Sequence, residues 1–331
     1  MKGRDLAIVA AVLLLGGFAL ADSLRSRGEE ARETTAETTR TDRTGPEPQA
    51  DAPADWPSGR LRGTLVFTDA DDCRVRVIGL GGGRERPTGD FVGFCDLWAA
   101  PVGQRIAYST GGVRGRVTQR FTIVDLAHAN RELGTFENLV GDVIWGPDAQ
   151  RLAWCDENAV GFELEIGNTR PRRIARCPMA YTPEGRLAFV VDGRLVSARR
   201  VLLAENEPIL QASYAQDESL LVVLESGIVR RYGVDGRIDA ITIDASSRRE
   251  IIPSPDNCAV LYKEPGRVQL VDLGCAGVQP REFIAFDAAW SPDARWVAVA
   301  DPEQIEFHEV LAGDERLVWP APARELYWRG D

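Results

Sequence analysis

Carboxyl side chains recur at one phase of this chain. Asp96, Asp142, Glu250, Asp287 and Glu325 each stand five residues ahead of a turn proline or the residue that replaces it. Pro178 and Gln211 hold the same place in two further copies. A row of carboxylates brought together by a fold focuses a negative potential. Such a row binds a cation or a basic peptide, or docks a basic partner. The same groups equally serve as acceptors for backbone N–H groups where a loop enters a strand. At the level of sequence both readings stay open.

What must position these side chains is a repeated phrase, plainest at residues 287–300, DAAWSPDARWVAVA. The run FDAAW is apolar and aromatic enough for a buried strand. Ser291-Pro292-Asp293-Ala294 reads as a turn, because proline presets φ at its second position and Asp favours turn geometry. RWVAVA then reads as a second strand beside the first. The grammar returns at Trp145-Gly146-Pro147-Asp148 before RLAWC and at Tyr181-Thr182-Pro183-Glu184 before RLAFVV. It returns again at Tyr214-Ala215-Gln216-Asp217 before LLVVLE and at Pro253-Ser254-Pro255-Asp256 before AVLYK, and loosely at Ala99-Ala100-Pro101-Val102 before RIAYS. The spacing of roughly 33–47 residues is that of propeller blades, each a four-stranded sheet. Trp145, Tyr181, Tyr214, Trp290 and Trp328 form an aromatic column predicted to pack between blades.

The last copy, ELYWRGD, supplies one inner strand, and residues 60–80 supply outer strands with no inner strand before them. The two fragments complete one blade, which would close a ring and remove exposed sheet edges. The expectation is an all-β chain with a β-propeller over residues 59–331, seven blades closed by N- and C-terminal strands. Six or eight blades are the alternatives, because the copies at Ala99 and Tyr214 are degenerate. These turns resemble the TolB-type (WD40-like) propeller repeat, whose hallmark is an aromatic-Ser-Pro-Asp-Gly turn. The resemblance runs from about Arg60 to Asp331 and departs from the pattern at Ala149 and Ala294, where glycine is usual. It implies the fold and not the function. An acidic residue at the column position also belongs to that repeat, which counts toward a structural role. No N-terminal globular domain like TolB's is read here, so TolB's partners are not carried over.

The formal net charge of −11 argues against general nucleic-acid binding, which wants a basic face. Only Lys2 and Lys263 are lysines, which reads as compositional bias toward arginine. Lys2 and Arg4 precede an apolar run at residues 6–21. That run, within residues 1–22, reads as a signal peptide cleaved after Ala21 or as a single transmembrane helix anchoring the chain in a membrane. Residues 23–58 read as a disordered polar linker. The expected location is the cell envelope, extracytoplasmic, tethered through residues 6–21 or secreted if cleaved.

Export would permit disulfides among the six cysteines. Blade geometry predicts the pairs Cys73 with Cys95, Cys155 with Cys177, and Cys258 with Cys275, with buried free thiols as the alternative. A metal site is not expected, since no C-x-x-C spacing occurs and His128 and His308 are the only histidines. The acidic run at residues 69–72 lacks EF-hand spacing and reads as a solvated loop. No G-x-S-x-G motif is present. The expectation is a monomeric, non-enzymatic binding module that docks a protein or peptide on a propeller face, with no cofactor. A small-ligand or cation sensor using the central channel is one alternative, and a carboxylate-dependent hydrolase is another.

Overall fold

In the computed structural model, the phrase at residues 287–300 folds as two antiparallel strands, Asp287–Trp290 and Trp296–Ala300, around a tight turn. The structure describes residues 56, 59–82, 84–87, 96–112, 119–128, 130–198, 200–215, 217–243, 250–274, 277–311 and 315–330. The turn is built by its own side chains. Ser291 Oγ donates to Asp293 Oδ1 at 2.6 Å and accepts the Trp296 N–H at 2.8 Å. Ser254 repeats the device, donating to Asp256 Oδ1 at 2.6 Å and accepting the Ala259 N–H at 3.0 Å. Ala149 and Ala294 sit at φ of 54° and 57°, the left-handed region that glycine tolerates and a Cβ resists.

Among the described residues the strands form six antiparallel sheets, five of them four-stranded. Four of these run strand by strand along the chain: Ala180–Tyr181 to Arg200–Ala204, Ile209–Tyr214 to Ile238–Thr242, Glu250–Pro253 to Arg281–Phe283, and Asp287–Trp290 to Arg316–Trp319. A fifth joins sequence-distant segments. Ala323–Arg329 pairs with Thr64–Asp69, with Leu65 opposite Trp328, and the sheet continues to Val75–Gly79 and Arg84–Pro87. The sixth sheet has seven strands, from Leu97–Ala99 to Arg172–Ile174. Its central strand, Arg131–Trp145, pairs through its first part with Gln119–Asp125 and through its last part with Arg151–Cys155. The sheet is therefore two four-stranded units that share one long strand. Each unit has the antiparallel form of a propeller-like blade.

The core lies between the faces of neighbouring sheets, as the alternation of strand side chains requires. Leu65 and Phe67 meet Trp296, Ala298, Phe307 and Trp319 in one cluster, and Leu261 and Val268 meet Trp290, Val297 and Val299 in another. Trp56 joins the first cluster. Its Nε1 donates to the Leu80 carbonyl at 3.0 Å, and its ring lies edge-on to Trp319 with centroids 5.0 Å apart. This corrects the linker boundary at residue 58, because a single indole in a polar tract leaves no periodic signal. Asp69, expected in a solvated loop, is 3% exposed and held by Arg76 at 2.8 Å. The expectation of a membrane anchor is also corrected. No helix among the described residues is long and apolar enough to cross a membrane. Residues 1–22, on which that expectation rested, and the rest of the linker before Trp56 lie outside the described residues.

The turns give a paired stability prediction. Ser291→Ala leaves the Trp296 N–H without its acceptor and lowers stability by about 1–3 kcal/mol in urea unfolding. Ala294→Gly relieves the left-handed alanine and raises it by ~0.5–1 kcal/mol. A loss in both variants would contradict this account of the turn.

Candidate functional site

Asp96, Asp142, Glu250, Asp287 and Glu325 line one cavity of ≈ 460 Å³, together with Trp98, Gln119, Lys263, Trp290 and Tyr327. Local structure explains the convergence. Glu250 and Asp287 open their strands, Asp96 immediately precedes Leu97–Ala99, and Glu325 stands near the start of Ala323–Arg329. Asp142 occupies the matching place within the shared strand Arg131–Trp145.

These side chains bind across from one four-stranded unit to the next. Asp287 Oδ2 accepts the Leu326 N–H at 2.7 Å, and Glu325 Oε2 accepts the Leu97 N–H at 2.7 Å. Trp98 Nε1 donates to Asp142 Oδ1 at 3.1 Å. Gln211, one of the two breaks in the acidic column, donates through Nε2 to the Ile251 carbonyl at 2.7 Å. The aromatic column does parallel work: Trp145 Nε1 donates to the Trp98 carbonyl at 3.1 Å, and Trp290 Nε1 to the Ile252 carbonyl at 3.1 Å. Tyr181 Oη donates to Glu163 Oε1 at 3.2 Å.

One cation sits among the carboxylates. Lys263 Nζ lies 2.8 Å from Asp287 Oδ1 and 3.0 Å from Glu250 Oε2. Burial works against its charge, but Asp287 and Glu250 outweigh burial and hold its pKa above the ordinary lysine value. Asp287 is 4% exposed, and burial pushes its pKa up despite Lys263. Burial also raises Asp96, with the hydrogen bond from Gln119 pulling back and the charge of Asp142 adding to the rise. Glu325 is pushed up to about 8 by burial and then by Asp287, against Lys263 and the Leu97 N–H. Burial and then the charges of Glu250 and Glu325 hold the Tyr327 phenol well above its ordinary value. The Tyr327 hydroxyl has no hydrogen-bond partner among the described residues.

The other sequence candidates fall elsewhere. Cys155 and Cys177 form a disulfide with Cα atoms 5.4 Å apart. Cys73 and Cys258 are also disulfide-bonded, and Cys95 and Cys275 lie outside the described residues. His308 Nε2 lies 2.9 Å from Glu306 Oε2, and His128 Nδ1 lies 3.1 Å from Asp125 Oδ2. Among the described residues no three His, Cys, Asp or Glu side chains are grouped to hold a metal ion. Sequence reasoning missed Lys263 and Tyr327. The signal for Lys263 was its rarity, because it shares the whole chain with one other lysine.

No family model matches the chain, and no curated protein matches it. Solved structures show a remote likeness to β-propellers. A chain in the crystal structure of the Mitotic Checkpoint Complex aligns with a TM-score of 0.51 at 16% identity, covering 81% of this chain and 96% of that one. TolB from Acinetobacter baumannii aligns with a TM-score of 0.48 at 14% identity, over 81% of this chain and 67% of TolB. The β-propeller domain of Cps50 (Swd1) from Myceliophteria thermophila aligns with a TM-score of 0.47 at 14% identity, over 70% of this chain and 88% of that domain. At 16% identity the likeness to the chain of the Mitotic Checkpoint Complex is one of fold alone, and none of these structures singles out the TolB family.

Two predictions follow from the charges. Lys263→Met strands the buried Asp287 carboxylate and costs about 3–5 kcal/mol in denaturant unfolding, and adding Asp287→Asn recovers most of the loss. The raised Glu325 makes stability fall as pH rises. Between the ordinary glutamate value of 4.5 and about 8, the folded chain binds a proton that the unfolded chain has released. Glu325→Gln therefore flattens the decline of thermal midpoint between pH 5 and pH 8. Parallel curves for the two proteins would contradict the assignment.

Proposed function

We propose that this chain is a non-enzymatic binding module built from TolB-type repeats. Its seven four-stranded units close into a ring through the sheet that joins Ala323–Arg329 to Thr64–Asp69, and a basic segment of a protein or peptide docks at the acidic mouth. One observation carries the reading: five carboxyl groups from separate four-stranded units share one cavity with a single ammonium group. Carboxylates withdrawn from water need compensating charge; Lys263 meets the buried Asp287 and the exposed Glu250, and Asp96 and Glu325 are half-buried. An incoming arginine or lysine side chain supplies more. The bonds to neighbouring strands hold Asp142, Asp287 and Glu325 in place to receive it.

The test is fluorescence anisotropy with a labelled arginine-containing peptide and its glutamine counterpart. Asp142 and Glu250 are exposed, so Asp142→Asn combined with Glu250→Gln should fold normally. The expected result is arginine-dependent binding that weakens about ten-fold or more in the double variant and falls as salt shortens the Debye length. Binding also strengthens from pH 6 to pH 9, because a cation is better received once Glu325 has lost its proton. Equal binding of both peptides, or equal binding by both proteins, would overturn the reading.

A further inference from the structure

The acidic cavity adjoins a second one of ≈ 820 Å³, and the two share Trp98, Asp142, Glu250 and Tyr327 in their walls. Both volumes fall in the ~300–1,000 Å³ range of ligand pockets. The second cavity differs in chemistry. Val143, Ile144, Met179, Leu210 and Ile251 line it. Leu210 is 57% exposed although it lies within a strand, so an apolar side chain is left uncovered there.

The repeat itself explains why one sector is acidic and the next apolar. The acidic column lapses at two consecutive copies, Pro178 and Gln211. Both line the second cavity and neither lines the first. The strand after Pro178, Ala180–Tyr181, is only two residues long. The disulfide from Cys177 to Cys155 ties the approach to Pro178, and Cys155 itself lines this cavity. Tyr327, whose hydroxyl has no hydrogen-bond partner among the described residues, stands in the wall common to both.

Resting on the acidic-mouth reading, we propose that the ligand is a peptide segment of a protein partner in which a basic side chain stands beside an aliphatic or aromatic one. The cation seats against Asp142, Glu250 and Glu325, and the apolar side chain seats on Leu210, Met179 and Ile144. The Tyr327 hydroxyl, between the two seats, hydrogen-bonds the backbone of the segment. Charge complementarity sets the first half and the uncovered apolar wall sets the second. A purely basic segment leaves the apolar wall bare, and a purely apolar one leaves the carboxylates uncompensated.

The experiment uses the full chain and three labelled peptides with Arg-Leu, Arg-Ser or Gln-Ser at the centre of one glycine-rich frame. The expected order of affinity is Arg-Leu over Arg-Ser by about ten-fold, from burial of one leucine side chain, and Arg-Ser over Gln-Ser. Leu210→Ser, with its fold checked by thermal midpoint, removes the preference for Arg-Leu and leaves Arg-Ser binding unchanged. Tyr327→Phe weakens both arginine peptides alike. If Arg-Leu and Arg-Ser bind the unaltered chain equally and both exceed Gln-Ser, this inference falls while the acidic-mouth reading stands. If all three bind alike, both fall. Loss of Arg-Ser binding in Leu210→Ser would likewise overturn the division into two seats.

Discussion

The structure depends on side chains that join the first strand of one four-stranded unit to the first strand of the next. No β-ladder runs between these strands, so their facing N–H and C=O groups need other partners. Leaving such groups buried and unpaired costs about 1–3 kcal/mol each. Glu325 and Asp287 meet the Leu97 and Leu326 N–H groups, while Trp145, Trp290 and Gln211 meet the Trp98, Ile252 and Ile251 carbonyls. Three copies carry an acceptor at this place and an indole three residues later: Asp142 and Trp145, Asp287 and Trp290, Glu325 and Trp328.

A consequence follows from placing an acid at five of the seven joints. The acids meet where the strands converge, and burial there raises Glu325, Asp287 and Asp96 while Lys263 offsets only part of the charge. The structural and binding readings of the column are therefore two halves of one arrangement. For Glu325, one carboxylate oxygen holds the neighbouring strand while the side chain lines the cavity. The fold places its acceptors there, and that concentration of carboxyl groups is what the proposed cationic ligand would meet.

Much of this was legible in the chain. The turn phrase located the strand pairs, since Ser, Pro and Asp determine the turn through their own bonds. The phase of the phrase brought the acidic column to one place, because equal offsets from equivalent turns lie at equivalent heights. Other features left no local mark. The long strand Arg131–Trp145 serves two units, and only its bulge between Val140 and Ile144 separates them. Lys263 is one residue in an otherwise ordinary strand, and its role depends on which strands lie beside it. Trp56 stands among polar residues and declares itself only through contacts with Trp319 and Phe307. Asp69 is buried by Arg76, a partner that the acidic run around it conceals. Pairings set by three-dimensional neighbours cannot be read from a period along the chain.

The central claim is that the cavity holds uncompensated acid that a cation relieves. The most direct measurement is the titration of the Glu325 side-chain carboxyl by carbon-13 NMR, assigned with Glu325→Gln, in the free chain and with the Arg-Leu peptide bound. The expected midpoint is near 8 in the free chain, with a clear downward shift when the basic side chain is bound. A midpoint in the ordinary glutamate range, unchanged by the peptide, would contradict it.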